Sequence, residues 1–167
     1  MFRKLTLALA SLFALSQSAS AATITFIVQL SGAQEVNSSG VPNQGDPDGA
    51  GTATLTIDDV AGTIAWDIQV SNIALPPVGA HIHNAAAGSN GSVRIDFNSQ
   101  LSGSGLVDSD LALLLADPTQ WYVNVHNIDY QAGAIRGQLG SPVPEPALLG
   151  LLAAAAGGLA LARRRRA

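Results

Sequence analysis

The sequence contains no cysteine. Disulfide staples, thiol catalysis and thiolate metal ligation are therefore excluded, and a folded domain must rest on its core and its hydrogen-bonded ladders. Basic residues are scarce wherever a domain can lie. Arg3 and Lys4 stand at the N-terminus and Arg163 to Arg166 at the C-terminus, which leaves only Arg94 and Arg136 against eleven acids in between. Without a basic patch, such a segment does not bind nucleic acid. Its acidic surface favours cations and basic partners instead. The chain also lacks a G-x-S-x-G elbow, a phosphate-binding loop and a dinucleotide fingerprint. Glu35 is the only glutamate between residues 22 and 142, and no carboxylate pair stands at a defined spacing. A hydrolase is the faintest option, since nothing points to its substrate.

Long apolar runs are missing too, but two shorter ones close the chain at its ends. Arg3 and Lys4 precede an apolar stretch from Leu5 to Leu15, and Ala19-Ser20-Ala21 supplies small residues for cleavage. This is the pattern of a secretory signal cut after Ala21. At the other end Pro144-Glu145-Pro146 is followed by Ala, Leu and Gly from Ala147 to Ala162, then by Arg163 to Arg166. As a helix that apolar stretch reaches roughly 24 Å, short of a ~30 Å hydrocarbon core unless the bilayer thins or the arginines snorkel. The arginines stay cytoplasmic by the positive-inside rule, which places the preceding domain outside. In this order, Val143 to Ala167 resembles the PEP-CTERM sorting signal. The resemblance implies recognition and cleavage by an exosortase-type transpeptidase, in bacteria that make exopolysaccharide, with transient anchoring by the apolar helix. A plain membrane anchor is the alternative. The expected plan is a signal peptide at 1–21, a domain at 22–142 and a sorting tail at 143–167.

Within the domain the hydrophobic period is two. Ile24, Phe26, Val28 and Leu30 alternate along one strand, Ala53, Leu55 and Ile57 along a second, and Ile64, Trp66, Ile68 and Val70 along a third. Asp58 to Gly62 makes the turn of a hairpin between the last two. Gly79 to His83, Ser92 to Phe97, Gln120 to His126 and Ala134 to Leu139 read as further short strands, and Gly103-Ser104-Gly105 as a flexible loop. Ser109 to Ala116 is the one helical run, with an Asp/Ser cap and a stop before Pro118. About seven strands without βαβ alternation or internal repeat predict an all-β, antiparallel Greek-key sandwich with one short helix.

The ordered segments Leu30-Ser31-Gly32-Ala33-Gln34-Glu35-Val36, Gly45-Asp46-Pro47-Asp48-Gly49-Ala50-Gly51, Ala80-His81-Ile82-His83, Trp121-Tyr122-Val123-Asn124-Val125-His126 and Ile135-Arg136-Gly137-Gln138-Leu139 resemble a CHRD domain, the module named from chordin. The likeness runs from about Thr23 to Leu139. It implies a β-sandwich of superoxide-dismutase-like or immunoglobulin-like kind, and no single activity.

The chain's three histidines all fall in these segments. His81 and His83 leave one face of their strand, and His126 shares a face with Tyr122 and Asn124. If the strands meet, three imidazoles could bind Cu or Zn and leave a fourth position open. The other reading is structural, with the rings bonded to loop carbonyls, to Asn84 or to each other. The His-x-His strand is similar to that of Cu/Zn superoxide dismutase. That family, however, uses four histidines for copper, further ligands for zinc, and a disulfide. At most one mononuclear site is expected here, and its affinity should fall as the rings protonate below about pH 6. Asp46-x-Asp48 invites a calcium reading, but an EF-hand loop needs oxygen ligands where Ala50 and Ile57 stand, so a turn capped by aspartates is expected. Trp66 and Trp121 are expected in the core, Tyr122 in a site or as a buried phenol, and Arg136 in an ion pair with a carboxylate such as Asp129. Two functions follow. The first is a non-catalytic exported module that binds exopolysaccharide or a surface protein. The alternative is a mononuclear Cu/Zn-binding or weak redox protein.

Overall fold

Strands form where the two-residue period places the apolar side chains mainly on one side, Ile27 being an exposed exception. In β1 (Thr23–Ser31), β2 (Ala50–Asp58) and β3 (Thr63–Ser71), Phe26, Val28, Leu30, Ala53, Leu55, Ile57, Ile64 and Ile68 are all buried. Burying each of the larger ones contributes about 1.5–3 kcal/mol. The β2–β3 turn is closed by Asp58, whose carboxylate accepts the amides of Val60 (3.0 Å) and Ala61 (2.8 Å), while Gly62 takes a positive φ of 63°. These contacts fix the hairpin register, with Asp58 opposite Thr63.

The computed structural model describes residues 23–144. The signal segment with Ala19 and Ala21, and the tail from Glu145 onward with Pro146, the apolar stretch and the arginines, lie outside the described residues. Among those described, no helix is long and apolar enough to cross a membrane.

The remaining elements are β4 (Gly79–Asn84), β5 (Ser92–Asp96), β6 (Ser102–Val107), α1 (Leu111–Ala116), β7 (Trp121–His126) and β8 (Ile135–Gln138), with short 3-10 turns at Gly32–Gln34 and Pro118–Gln120. The domain is all-β with one short helix, as expected. Hydrogen bonding joins all eight strands in one antiparallel sheet, ordered β5-β4-β7-β8-β1-β2-β3-β6. The join between its halves is narrow, a single registered pair, Ser31 opposite Arg136. The sheet is curled, and side chains from both halves meet in one core. Its far ends are tied together after β5. Phe97 stacks on Trp66 of β3 at 4.4 Å, and the Trp66 indole donates to Gln100 O (2.9 Å).

Two local expectations need correction. Gly103-Ser104-Gly105 is not a loop but part of the edge strand β6. A side chain at Gly103 would lie 2.4 Å from the Trp66 ring, so glycine here makes room for the indole beneath the ladder. The helix has no side-chain cap. Asp110 occupies the cap position, but its carboxylate takes a bidentate contact from Arg94 at 2.7 and 2.8 Å.

Candidate metal centre

The antiparallel pairing of β4 with β7 sets the centre. Gly79 stands opposite His126, His81 opposite Asn124 and His83 opposite Tyr122. Ala80, Ile82, Val123 and Val125 enter the core from the inner face. The alternating positions therefore put His81, His83, Tyr122, Asn124 and His126 together on the outer face.

The three histidines converge. Ring centroids are 5.6 Å apart for His81–His83, 5.1 Å for His81–His126 and 6.0 Å for His83–His126. One ring nitrogen from each lies within 4.8 Å of the others. Nitrogens bound to a metal at ~2.0–2.1 Å sit roughly 3.4 Å apart, so closure around an ion needs a shift of about 1 Å or a little more.

Hydrogen bonds aim the rings. His83 Nδ1 lies 3.0 Å from Gly91 O, and His126 Nδ1 lies 3.0 Å from Gln131 O. A carbonyl only accepts, so both Nδ1 atoms carry protons and both neutral rings present an Nε2 lone pair. His81 turns its Nε2 toward Asp96 Oδ1 at 3.6 Å. The atoms left over, His81 Nδ1, His83 Nε2 and His126 Nε2, are buried without a partner. Backbone carbonyls or a carboxylate on the far nitrogen are the usual outer contacts of metal-ligating histidines.

The protonation state also suits a cation. Burial pushes His83 down to about 4, against the Gly91 hydrogen bond, with further lowering from His81, His126 and Arg136. Burial lowers His81 against the pull of Asp96, and lowers His126 against its bond to Gln131. All three rings are therefore neutral at pH 7, the form that binds metal.

Two loops deliver the carbonyls. In the loop after β7, the buried Asn127 accepts the amides of Asp129 (3.1 Å) and Tyr130 (2.7 Å), which turns the chain so that Gln131 O faces His126. In the loop after β4, Gly91 holds His83 through its carbonyl and donates its amide to Tyr122 Oη at 3.2 Å. Tyr122 stacks on His83 at 4.8 Å, and the Arg136 guanidinium lies 3.4 Å from the Tyr122 ring centre.

Sequence reasoning missed Gly79. A Cβ there would fall 2.6 Å from His81 Cε1 and 3.2 Å from His126 Cδ2, so its missing side chain is the space in which the two rings meet. The signal was present, since Gly79, His81 and His83 share one face by the two-residue period. Gly91, Gln131 and Asp96 carried no such signal.

Other expected residues fall elsewhere. Arg136 does not pair with Asp129. It is buried and bonds Asn90 Oδ1, Ala86 O and Gln138 Oε1. Trp121 is buried in the core, and Trp66 packs against it. Asp46 O accepts the Gly49 amide in a turn (3.1 Å), and Ile57 is a core residue of β2. Pro144 is exposed, directly after Val143, whose amide reaches Thr25 O of β1 at 2.7 Å.

The CHRD domain family matches residues 26–139. The chain belongs to the CHRD domain family. The match takes in β1 from Phe26, the other seven strands whole, and all three histidines of the centre. No curated protein and no solved structure matches the chain. This CHRD domain therefore takes its functional reading from its own geometry.

Proposed function

We propose that this CHRD protein is an exported, surface-associated module that binds one Cu or Zn ion through His81, His83 and His126. A single observation carries the metal reading: each of the three histidines buries a ring nitrogen without a hydrogen-bond partner, and one ring nitrogen from each lies within 4.8 Å of the others. Each unpartnered buried acceptor costs about 1–3 kcal/mol, and a cation relieves all three at once. Three ligands with a fourth position open fit either ion, and no catalytic partner set accompanies them. We read the module as non-catalytic, and the curled sheet as a sandwich-like packing of two halves across one core.

Export and sorting rest on the sequence. Arg3 to Ala21 supports secretion, and Pro144-Glu145-Pro146 with the apolar stretch and arginines supports exosortase-type processing. The partner at the surface is an exopolysaccharide or another surface protein.

Elemental analysis of the purified protein, made without a histidine tag, tests the metal reading. Near one equivalent of Cu or Zn is expected, and its loss in His83→Ala. A folded protein that stays metal-free after reconstitution overturns it. Deleting Pro144 to Ala167 should change surface retention or tail processing. Unaltered retention and processing would sink the sorting reading.

A further inference from the structure

The domain's two cations are treated in opposite ways. Arg94 is exposed and has its own carboxylate, Asp110, in a bidentate pair. Arg136 is 2% exposed, and among the described residues it has no ion pair. Its hydrogen bonds are long, 3.3 Å to Asn90 Oδ1, 3.4 Å to Ala86 O and 3.3 Å to Gln138 Oε1, and every acceptor is neutral. A guanidinium has five N–H donors. These contacts leave Nε–H and one Nη1–H with no protein acceptor. A buried guanidinium with no carboxylate in contact is costly, and the stacked Tyr122 ring offsets part of that cost.

A carboxylate in direct contact with Arg136 has a place to sit. Arg136 lines an open cavity of ≈ 270 Å³ between the loop after β1 and the loop after β4. Ala33, Val36 and Pro42 form one wall and Ala87 and Gly88 the other. A free guanidinium N–H suits a carboxylate oxygen, and the walls, apolar but for Gln34 and Gln138, suit a small uncharged body behind it. Glu35 acts on Arg136 without touching it, and burial holds its carboxyl up near 7, so it neutralises the guanidinium only in part.

We propose that this cavity binds a single carboxylate carried on a small uncharged body, with Arg136 as its anchor. The site is separate from the histidine centre and does not depend on it. Tyr122 lies between them, its ring stacked on His83 and facing Arg136.

The test is an NMR titration of the ¹⁵N-labelled protein, stripped of metal with phenanthroline so that no carboxylate chelator competes. The probes are D-glucuronate, which carries the carboxylate on a neutral ring, D-glucose, which lacks it, and lactate, which carries it on a smaller body. Glucuronate should shift the Val36, Ala87 and Gly88 amides saturably, with a dissociation constant of about 1 mM or tighter, and glucose should not. Arg136→Gln should weaken binding roughly 10- to 100-fold, the loss of a charge-assisted contact. Ala33→Phe, which fills the exposed wall and leaves Arg136 in place, should give the same loss if Arg136→Gln fails to fold. The proposal is overturned if neither glucuronate nor lactate saturates, if glucose binds as well as glucuronate, or if Ala33→Phe leaves binding unchanged.

Discussion

The two halves of the sheet use strands differently. In β1 and β2, buried core positions alternate with exposed or half-buried ones, and Ile27, Gln29 and Thr54 face outward. In β7 every residue but His126 is buried, and in β8 Ile135, Arg136 and Gly137 all are. Both faces of β7 and β8 are covered, the inner by the core and the outer by the loops that carry Glu35, Asn90, Gly91 and Gln131, whereas the edge strand β5 stays largely exposed. A covered outer face is normally apolar. Here it holds His83, Tyr122, Asn124 and Arg136. Among the described residues, every buried side-chain polar atom without a partner belongs to β4, β7 or their covering loops, on Glu35, His81, His83, Asn124, His126 and Asn127. In the first half the β1–β2 and β2–β3 ladders run unbroken, and only the edge pairing of β3 with β6 shifts register, between Ile64 and Trp66. The second gives up stability to hold polar groups in place, as expected of a binding region rather than a scaffold.

The sharpest way to break this contrast is to strike both faces of β4. Ile82 is fully buried on the inner face. Ile82→Ala should lower the unfolding free energy by about 2–5 kcal/mol, read by urea denaturation, while the folded fraction still takes up one metal ion. Gly79→Val strikes the outer face. Its new methyl groups occupy the place where His81 and His126 meet, so metal affinity in a competition titration should fall by at least ~100-fold. If Gly79→Val retains wild-type affinity, the three histidines are not the site and the outer face loses its special standing.

Legibility in the sequence follows the same division. The alternation of Phe26, Val28 and Leu30 against Ala53, Leu55 and Ile57 was enough to place β1 and β2, because one buried face leaves a clear period of two. The convergence of His81, His83 and His126 was readable as an option, since each lies on a strand whose faces the sequence assigns. Whether those strands are neighbours was not readable. β4 and β7 are separated by two strands and a helix in the chain, and only the folded sheet order pairs them. Gly91 O and Gln131 O are backbone atoms, to which a residue's identity gives no clue. Arg136 was misjudged because charge balance pointed to a carboxylate, whereas the fold stacks it on Tyr122. β6 was missed because its glycines read as a loop until Trp66 is seen lying against Gly103.

The buried groups of the second half also make its stability depend on pH in two opposing ways. Burial pushes Glu35 up to about 7 from 4.5, against the pull of Arg136. The folded state thus keeps a proton that the unfolded chain releases, and the contribution is full below 4.5 and lost as pH rises through 7. His83 runs the other way, being depressed from 6.5 to about 4. Its contribution is full above 6.5 and lost as pH falls through 4. In metal-free protein the two nearly cancel between pH 4.5 and 6.5. Glu35→Gln removes one of them. The variant should match the parent near pH 4.5 and exceed it at pH 8 by about 1–3 kcal/mol, after allowance for partial solvent access. Urea midpoints measured across that range check it, and parallel curves would show that Glu35 does not titrate within the fold.

The smallest effect belongs to the open face of the first half. Thr54 stands between Ile27 and Asp67 in the ladder, half-buried, and no side-chain hydrogen bond to it is needed to set the register, which the hairpin turn and the inner-face residues already fix. Thr54→Ala should shift stability by no more than about 0.5 kcal/mol in urea denaturation and leave metal affinity unchanged in the competition titration. The inference from the contrast is that outward positions matter only where loops cover them. A large loss at Thr54 would mean that the first half also has a functional outer face, and that burial alone does not mark the binding region.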